Sequence, residues 1–116
     1  MGPLQGIKIV EFSGIGPGPY CGMLLADLGA DVIRISRKET EGLENKFDIH
    51  NRSKRTITAD LKNKESAKEL LKLIGQVDVV FEGFRPGVME KLGLGPDECL
   101  KVNSKLVYGR MTGWGQ

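Results

Sequence analysis

A short segment of three glycines and two prolines, Gly14–Pro19, follows the first apolar stretch of the chain. Glycines at such a point let a phosphate group approach the backbone where a helix begins. The spacing does not match the dinucleotide-binding pattern G-x-G-x-x-G, because Pro19 or Cys21 stands where the last glycine is required. Proline also lacks the amide hydrogen that would bind a pyrophosphate. We call residues 14–19 the glycine–proline loop, and a purely structural turn is the alternative to a nucleotide loop.

Two cations, Arg37 and Lys38, follow the second β-branched segment, Val32–Ile35. A typical NAD site needs an acidic residue at this point to bind the ribose hydroxyls. Cations suit a phosphorylated ribose instead, which NADP and coenzyme A (CoA) both carry, and a guanidinium can hold a phosphate through two hydrogen bonds. The alternative is an exposed arginine at the end of a strand.

Residue types that often act in catalysis are sparse. Cys21 and Cys99 are far apart and share no C-x-x-C spacing, so free buried thiols are favoured over a metal or redox site. His50 is the single histidine, and it lies in a polar stretch where we expect a surface residue. A basic cluster, which is either a solvated surface or an anion site, is formed by Arg52, Lys54 and Arg55.

The composition is that of an ordinary soluble protein, with 28% charged and 40% hydrophobic residues. A length of 116 residues leaves room for one domain with one core. The net charge of +2 is too small to indicate nucleic-acid binding. Apolar runs fall far short of the roughly 20 residues that cross a bilayer, and the first residues do not resemble a signal peptide, so we expect a soluble, cytoplasmic protein.

The elements that must position these residues alternate between strands and helices. Extended segments are indicated at residues 7–12, 32–35, 56–61, 77–81 and 106–110, and helices at 20–28, 64–74, 88–92 and 97–102. Asn63 is the expected N-cap of the plainest amphipathic helix, and the polar stretch 37–54 is expected to be a surface excursion.

This order predicts an α/β fold with a Rossmann-like open, mainly parallel sheet and helices on both faces. Ligands bind beyond the carboxyl ends of the strands in such sheets. The loops in which we expect a binding site therefore follow Phe12, Ile35, Phe81 and Arg110.

Five segments, taken in order, resemble the opening of the family III CoA-transferases. They read LQGIKIVE from Leu4, GPGP from Gly16, LADLGADVIRI from Leu25, NRSKR and ADLK from Asn51 and Ala59, and EGFRPG with LG from Glu82 and Leu92. The resemblance spans almost the whole chain, and five segments in register are far more specific than any one of them.

Within this family the chain is most similar to the racemases that act on 2-methylacyl-CoA. The glycine–proline loop and the final RMTGWGQ, from Arg110, carry that likeness. Formyl-CoA transferases have glutamine near the acyl group where this chain has Gly16.

The resemblance implies a CoA-binding role for particular residues. Arg37 would meet a CoA phosphate, and Lys91 would offer a further cation to the diphosphate. The adenine and ribose would be flanked by a short backbone segment made of Ala59, Asp60, Leu61 and Lys62. The nucleotide cleft would be lined, after the strand 77–81, by Gly83, Phe84 and Arg85. Since a carboxylate repels phosphate, Asp60 would bond ribose hydroxyls or contribute only its backbone.

The resemblance further implies that residues 1–116 are the N-terminal CoA-binding, Rossmann-like domain of a longer protein, cut before its catalytic histidine and aspartate. No catalytic residue and no metal or redox cofactor is expected here, and CoA enters as part of an acyl-CoA substrate. The longer protein would epimerise 2-methylacyl-CoA thioesters in fatty acid metabolism, as an interlocked homodimer that binds neither nucleic acid nor membrane.

Three alternatives stay open. The longer protein would be a family III CoA-transferase, which moves CoA between carboxylic acids. The chain would otherwise be a non-catalytic module that binds NADP or a similar nucleotide, or an interaction domain that binds no nucleotide.

Overall fold

Strands and helices alternate along the chain, which the computed structural model describes over residues 2–12, 14–37 and 49–115. The strands are β1 (Lys8–Phe12), β2 (Asp31–Arg37), β3 (Arg55–Ala59), β4 (Val79–Glu82) and β5 (Val107–Arg110). The helices are α1 (Pro17–Asp27), α2 (Lys64–Ile74), α3 (Val88–Lys91) and α4 (Pro96–Val102), and a 3₁₀ turn covers Ile49–Asn51.

The strands form one parallel sheet in the order β3-β2-β1-β4-β5. Phe12 of β1 is the register partner of Ile35 in β2, Arg37 is that of Ala59 in β3, and Glu82 is that of Arg110 in β5. Parallel strands need crossover connections, which α1 supplies between β1 and β2, α2 between β3 and β4, and α3 with α4 between β4 and β5. The predicted α/β fold with an open parallel sheet is confirmed.

Both faces of the sheet carry apolar side chains, since successive residues of a strand point to opposite sides. Ile9 and Val32 pack in a cluster with residues of α1, whereas Val10 and Phe12 pack in a larger cluster with residues of α2, α3 and α4. The helices therefore cover both faces, as the sequence predicts.

Helix α2 shows how the sequence produces the larger cluster. Its spacing places Ala67, Leu70 and Ile74 on one face, and all three are buried. The Asn63 side chain accepts hydrogen bonds from the amides of Glu65 (2.8 Å) and Ser66 (3.4 Å), which confirms the predicted N-cap. Removing most of one such side chain, as in Leu70→Ala, is expected to cost about 2–5 kcal/mol of stability.

Helix α1 begins three residues before the predicted start at Tyr20, because Pro17 and Pro19 both lie in its first turn. Proline is tolerated there, since the amides of a first turn have no partner within the helix. The helix ends at Asp27, and Gly29 then adopts a φ of 103°, a conformation that favours glycine.

The strand ends differ from the prediction in a way that affects the site. Strand β2 continues past Ile35 through Arg37, and β4 continues past Phe81 to Glu82. Arg37 and Glu82 are therefore held by the sheet ladder instead of lying in loops. Lys38 and most of the predicted excursion 37–54 lie outside the described residues. Within the described parts of the chain, no helix has the length and apolar character needed to cross a membrane.

Candidate nucleotide-binding site

The carboxyl ends of the strands bring chemically distinct side chains to one edge of the sheet. In sheet order these end residues are Ala59, Arg37, Phe12, Glu82 and Arg110. The chain leaves β1 toward α1 on one face and leaves β4 toward α3 on the other. This divergence between neighbouring strands opens the crevice in which such sheets bind ligands.

Arg37 and Phe84 meet across this crevice. The guanidinium carbon of Arg37 lies 5.3 Å from the centroid of the Phe84 ring, within the range of a cation–π contact. The Phe84 ring also packs edge-on against Phe12, with a centroid separation of 6.5 Å. Phe84 thus reaches from the loop after β4 across the end of β1 to β2, where Arg37 is paired with Ala59. The structure therefore brings together Arg37, Ala59 and Phe84, which the sequence analysis predicts to bind CoA.

The segment after β3 presents mainly its backbone. Leu61 is 4% exposed and packs in the core, so only its main chain is available to a ligand. The Asp60 carboxylate accepts a hydrogen bond from the amide of Lys62 at 3.2 Å. Asp60 thus stabilises its own turn, which agrees better with a backbone role than with phosphate binding, while the Lys62 side chain is exposed.

The loop after β4 holds the other predicted residues. Gly83 and Arg85 are exposed on either side of Phe84, and Lys91 is the exposed last residue of α3. Within residues 2–12, 14–37 and 49–115, no carboxylate forms an ion pair with Lys62, Arg85 or Lys91. Their charges are therefore available to a phosphorylated ligand. No hydrogen bond or ion pair in the same residues joins Lys91 to the Arg37–Phe84 contact, so its place in the site stays a prediction.

Sequence reasoning gave no role to Glu82, although it follows the apolar residues of β4 directly. Its side chain is buried, with one oxygen accepting from the Phe84 amide at 2.8 Å and the other from Nε of Arg110 at 2.9 Å. A charged residue directly after a buried apolar strand is uncommon, and this pattern could have identified Glu82 from the sequence.

Arg110 sits at the far end of the same edge. It also binds the Glu90 carboxylate, and this hydrogen bond above all raises the pKa of Arg110. A cleft of about 380 Å³ opens beside it, lined by Arg110 and by the carboxylates of Glu90, Asp97 and Glu98. Three acidic residues against one arginine make this cleft a poor place for a phosphate group.

Two cations of the basic cluster, Arg52 and Arg55, lie at the surface in ion pairs, which agrees with a solvated surface, whereas the side chain of Lys54 is buried. Arg52 forms hydrogen bonds of 3.2 and 2.5 Å with Asp27, and Arg55 forms hydrogen bonds of 3.2 and 2.6 Å with Asp31. Lys54 is buried in an ion pair with Glu11. All three cations therefore pair with carboxylates of this chain.

A buried ion pair lies beneath the glycine–proline loop. Nζ of Lys54 is 2.8 Å from Oε1 of Glu11 and donates to its Oε2 at 3.1 Å and to the Pro19 carbonyl at 3.0 Å. A Cβ on Gly22 would lie 1.7 Å from Oε1 of Glu11, so only glycine lets α1 approach this pair. Burial raises the pKa of Glu11, and Lys54 opposes that shift. These contacts favour a structural turn for the loop.

The two cysteines and the histidine lie in surroundings that do not suggest a catalytic role. Both cysteines are free; Cys99 is buried and donates to the Leu94 carbonyl at 3.3 Å, while Cys21 is half-buried. Burial, above all, raises the pKa of Cys99 to about 11, and burial with the nearby Glu11 charge raises the pKa of Cys21. His50, predicted as a surface residue, is half-buried with its ring edge-on to Tyr20 at 6.1 Å.

Comparison with known proteins places this geometry in a family. The family model described as CoA-transferase family III matches residues 4–116. The alpha-methylacyl-CoA racemases of Mus musculus and Homo sapiens are 46% and 45% identical to the chain over 97% of its length, and in each case the chain spans 29% of the racemase.

A solved structure shares the fold. The crystal structure of Rv3272 from Mycobacterium tuberculosis, a protein named probable fatty acyl-CoA transferase, matches with a TM-score of 0.90 and 38% identity over 99% of this chain and 34% of that one. Since the family model covers nearly every residue, and the fold and the order of motifs agree, the chain belongs to the CoA-transferase family III.

Proposed function

We propose that this chain is the CoA-binding part of a 2-methylacyl-CoA racemase, and that the nucleotide end of an acyl-CoA thioester binds at the carboxyl edge of the sheet between β2, β3 and β4. The observation that carries this proposal is the Arg37–Phe84 contact, which joins the ends of two strands that a nucleotide would have to span. CoA takes part as a portion of the substrate, and no metal or redox group is proposed.

The charges of this edge support a ligand with several phosphates. CoA carries a diphosphate and a ribose phosphate, which lysine and arginine side chains bind through charge-assisted hydrogen bonds. Arg37 lies at the end of β2, and Lys62, Arg85 and Lys91 are exposed cations in the segments that follow β3 and β4. The Phe84 ring adds a flat apolar surface beside them, which suits a base that stacks.

The whole protein's chemistry is part of the proposal. A racemase would remove the proton from the α-carbon of the thioester, hold the resulting enolate with hydrogen-bond donors and return a proton on the opposite face. We expect none of residues 1–116 to act in these proton transfers, and therefore no racemisation by the chain alone. The longer protein is proposed to be an interlocked homodimer.

The preference for a racemase over a transferase rests on Gly16, on the final RMTGWGQ and on the higher identity to racemases, 46% against 39% for the acyl-CoA transferase of M. tuberculosis. The transferase is the second candidate, because the relatives include both activities by name. Incubating the longer protein with a chiral 2-methylacyl-CoA, and separately with a carboxylic acid acceptor, distinguishes inversion at the α-carbon from transfer of CoA.

Calorimetric titration of the chain with CoA, dephospho-CoA and NADP tests the binding proposal. We expect CoA to bind and dephospho-CoA to bind more weakly, because the ribose phosphate would lose its contact with a cation. Binding of NADP without binding of CoA would instead assign the chain to the NADP-type module. A folded chain that binds none of the three would be an interaction domain, and the proposal would be wrong.

A further inference from the structure

We infer that Glu82 is the positioning residue of this site: its buried carboxylate fixes the backbone at Phe84 and so holds the Phe84 ring where Arg37 packs on it. The inference rests on the proposed function, since the ligand whose binding it affects is CoA. Glu82 would not itself touch the ligand.

Because Glu82 is buried, its carboxylate needs an ion pair and hydrogen bonds to offset the loss of water. Its residue exposure is 1%, and a buried carboxylate is strongly destabilising unless it is paired and hydrogen-bonded. Its two oxygens have separate partners, since Oε1 accepts from Nε of Arg110 and Oε2 from the amide of Phe84. The contact with Arg110 stabilises the negative charge of Glu82, and the contact with the Phe84 amide orients the loop.

The position of Glu82 explains why this residue can orient the loop. It is the last residue of β4, where it is the register partner of Arg110 in β5, and the amide of Met111 donates to its carbonyl at 2.9 Å. The carboxylate is thus anchored on two neighbouring strands, while Phe84 is only two residues further along the chain. A short hydrogen bond from a loop amide to an anchored carboxylate restricts the backbone at that point.

The restriction extends from Glu82 to the candidate site. The Phe84 ring contacts both Phe12 and the Arg37 guanidinium, so a change in its backbone displaces both contacts. Gly83, between Glu82 and Phe84, supplies no side chain that could fix the loop. The hydrogen bond to Glu82 therefore restrains the Phe84 backbone, in addition to the contacts that hold its ring.

Glu82→Gln and Glu90→Gln form a matched pair of variants. Both residues bind Arg110, but only Glu82 accepts from Phe84. A glutamine has one oxygen acceptor and cannot serve both Arg110 and the Phe84 amide as the carboxylate does. We expect CoA affinity to fall about ten-fold or more in Glu82→Gln and to change less than about two-fold in Glu90→Gln, with both measured by calorimetry well below the unfolding temperature.

A destabilised control separates positioning from loss of folding. Leu70→Ala weakens the core at α2 but removes neither hydrogen bond of the Glu82 carboxylate, so it should leave the CoA affinity of the folded protein unchanged although it lowers the unfolding temperature. Equal CoA affinity in wild type and Glu82→Gln would overturn the inference, and so would a loss in Leu70→Ala as large as that in Glu82→Gln.

Amide hydrogen exchange in the ligand-free wild type tests the restraint on Phe84 independently of CoA binding. The Phe84 amide should exchange much more slowly than an unrestrained loop amide, because it donates to a buried carboxylate. Fast exchange at Phe84 would overturn the positioning role even where CoA binds. If the Phe84 amide is protected but the wild type does not bind CoA, the proposed function is wrong. The restraint on the loop would still hold in that case.

Discussion

Lys54 and Glu11 form an ion pair with no exposed side-chain surface on either partner, and the pair joins the segment before β3 to the central strand β1. The same Lys54 nitrogen also binds the Pro19 carbonyl in the first turn of α1. This arrangement fixes the position of the glycine–proline loop relative to the sheet, and it makes the stability of the chain sensitive to the charge of Glu11.

Lys54→Met should cost about 3–5 kcal/mol at neutral pH, because a buried carboxylate would lose its cation. The measurement is urea unfolding followed by circular dichroism. The double variant Glu11→Gln with Lys54→Met should recover most of this loss, since no uncompensated charge remains. A single variant as stable as wild type at neutral pH would contradict the interpretation.

The loss in Lys54→Met should also depend on pH. Burial raises the pKa of Glu11 above its ordinary 4.5, and removing Lys54 removes the main influence that opposes this shift. Glu11 then binds a proton more tightly in the folded than in the unfolded chain, so its contribution to stability is highest below its ordinary pKa and falls as pH rises through the raised one. Urea unfolding in steps from about pH 4 to about pH 8 should show the deficit growing, whereas a constant deficit would argue against a buried Glu11 charge.

Gly22→Ala should destabilise the chain by about 1–3 kcal/mol, although alanine is the better helix former by about 1 kcal/mol. Its Cβ would lie 1.7 Å from Oε1 of Glu11 and 2.9 Å from Nζ of Lys54, so the ion pair would have to move. Gly18→Ala in the same helix is the control, because a Cβ there meets nothing within 4 Å. Thermal unfolding should place Gly18→Ala close to wild type; equal effects at the two positions would be unexpected.

Arg37→Ala should weaken CoA binding about ten-fold or more, since a charge-assisted hydrogen bond to phosphate contributes about 1.5–3 kcal/mol. Arg52→Ala removes a cation that is already paired with Asp27, and it should change the affinity less than about two-fold. Comparable losses in both variants would mean that overall charge, and not the site, governs binding.

The thiol of Cys99 should resist alkylation in the folded chain. Burial raises its pKa to about 11, so very little thiolate is present at neutral pH, and the sulfur is shielded from reagents. Mass spectrometry after brief treatment with iodoacetamide should find Cys99 unmodified until denaturant is added. Modification of Cys99 at the same rate in the folded and unfolded chain would show that this part of the core opens readily.

Much of the fold could be predicted because local patterns determine it. The apolar spacing of residues 64–74 and the cap at Asn63 correspond to the observed α2, and the alternation of strands with helices indicated a parallel sheet. The sequence predicts the start of α1 too late because its prolines suggest a break, although the first turn of a helix accepts proline. The ends of β2 and β4 depend on ladder hydrogen bonds to neighbouring strands, which no local pattern contains.

The residue types of the candidate site could be predicted better than the contacts between its side chains. Arg37 at the end of the second strand indicates a phosphorylated ribose by its charge, and the EGFRPG segment indicates CoA through the family resemblance. The contact between Arg37 and Phe84 joins residues far apart in the chain, and the pairing of Arg52, Lys54 and Arg55 with carboxylates depends on the same tertiary packing. Charge spacing alone does not distinguish a cation that binds a ligand from one that binds its own chain.

The most direct test of the nucleotide site is to record ¹⁵N–¹H spectra of the chain during titration with CoA. The account predicts that the largest shifts fall on the amides of Arg37, of residues 59–62 and of residues 83–85. Shifts confined to the carboxylate-lined cleft beside Arg110, or spread over surfaces remote from the ends of β2, β3 and β4, would contradict it.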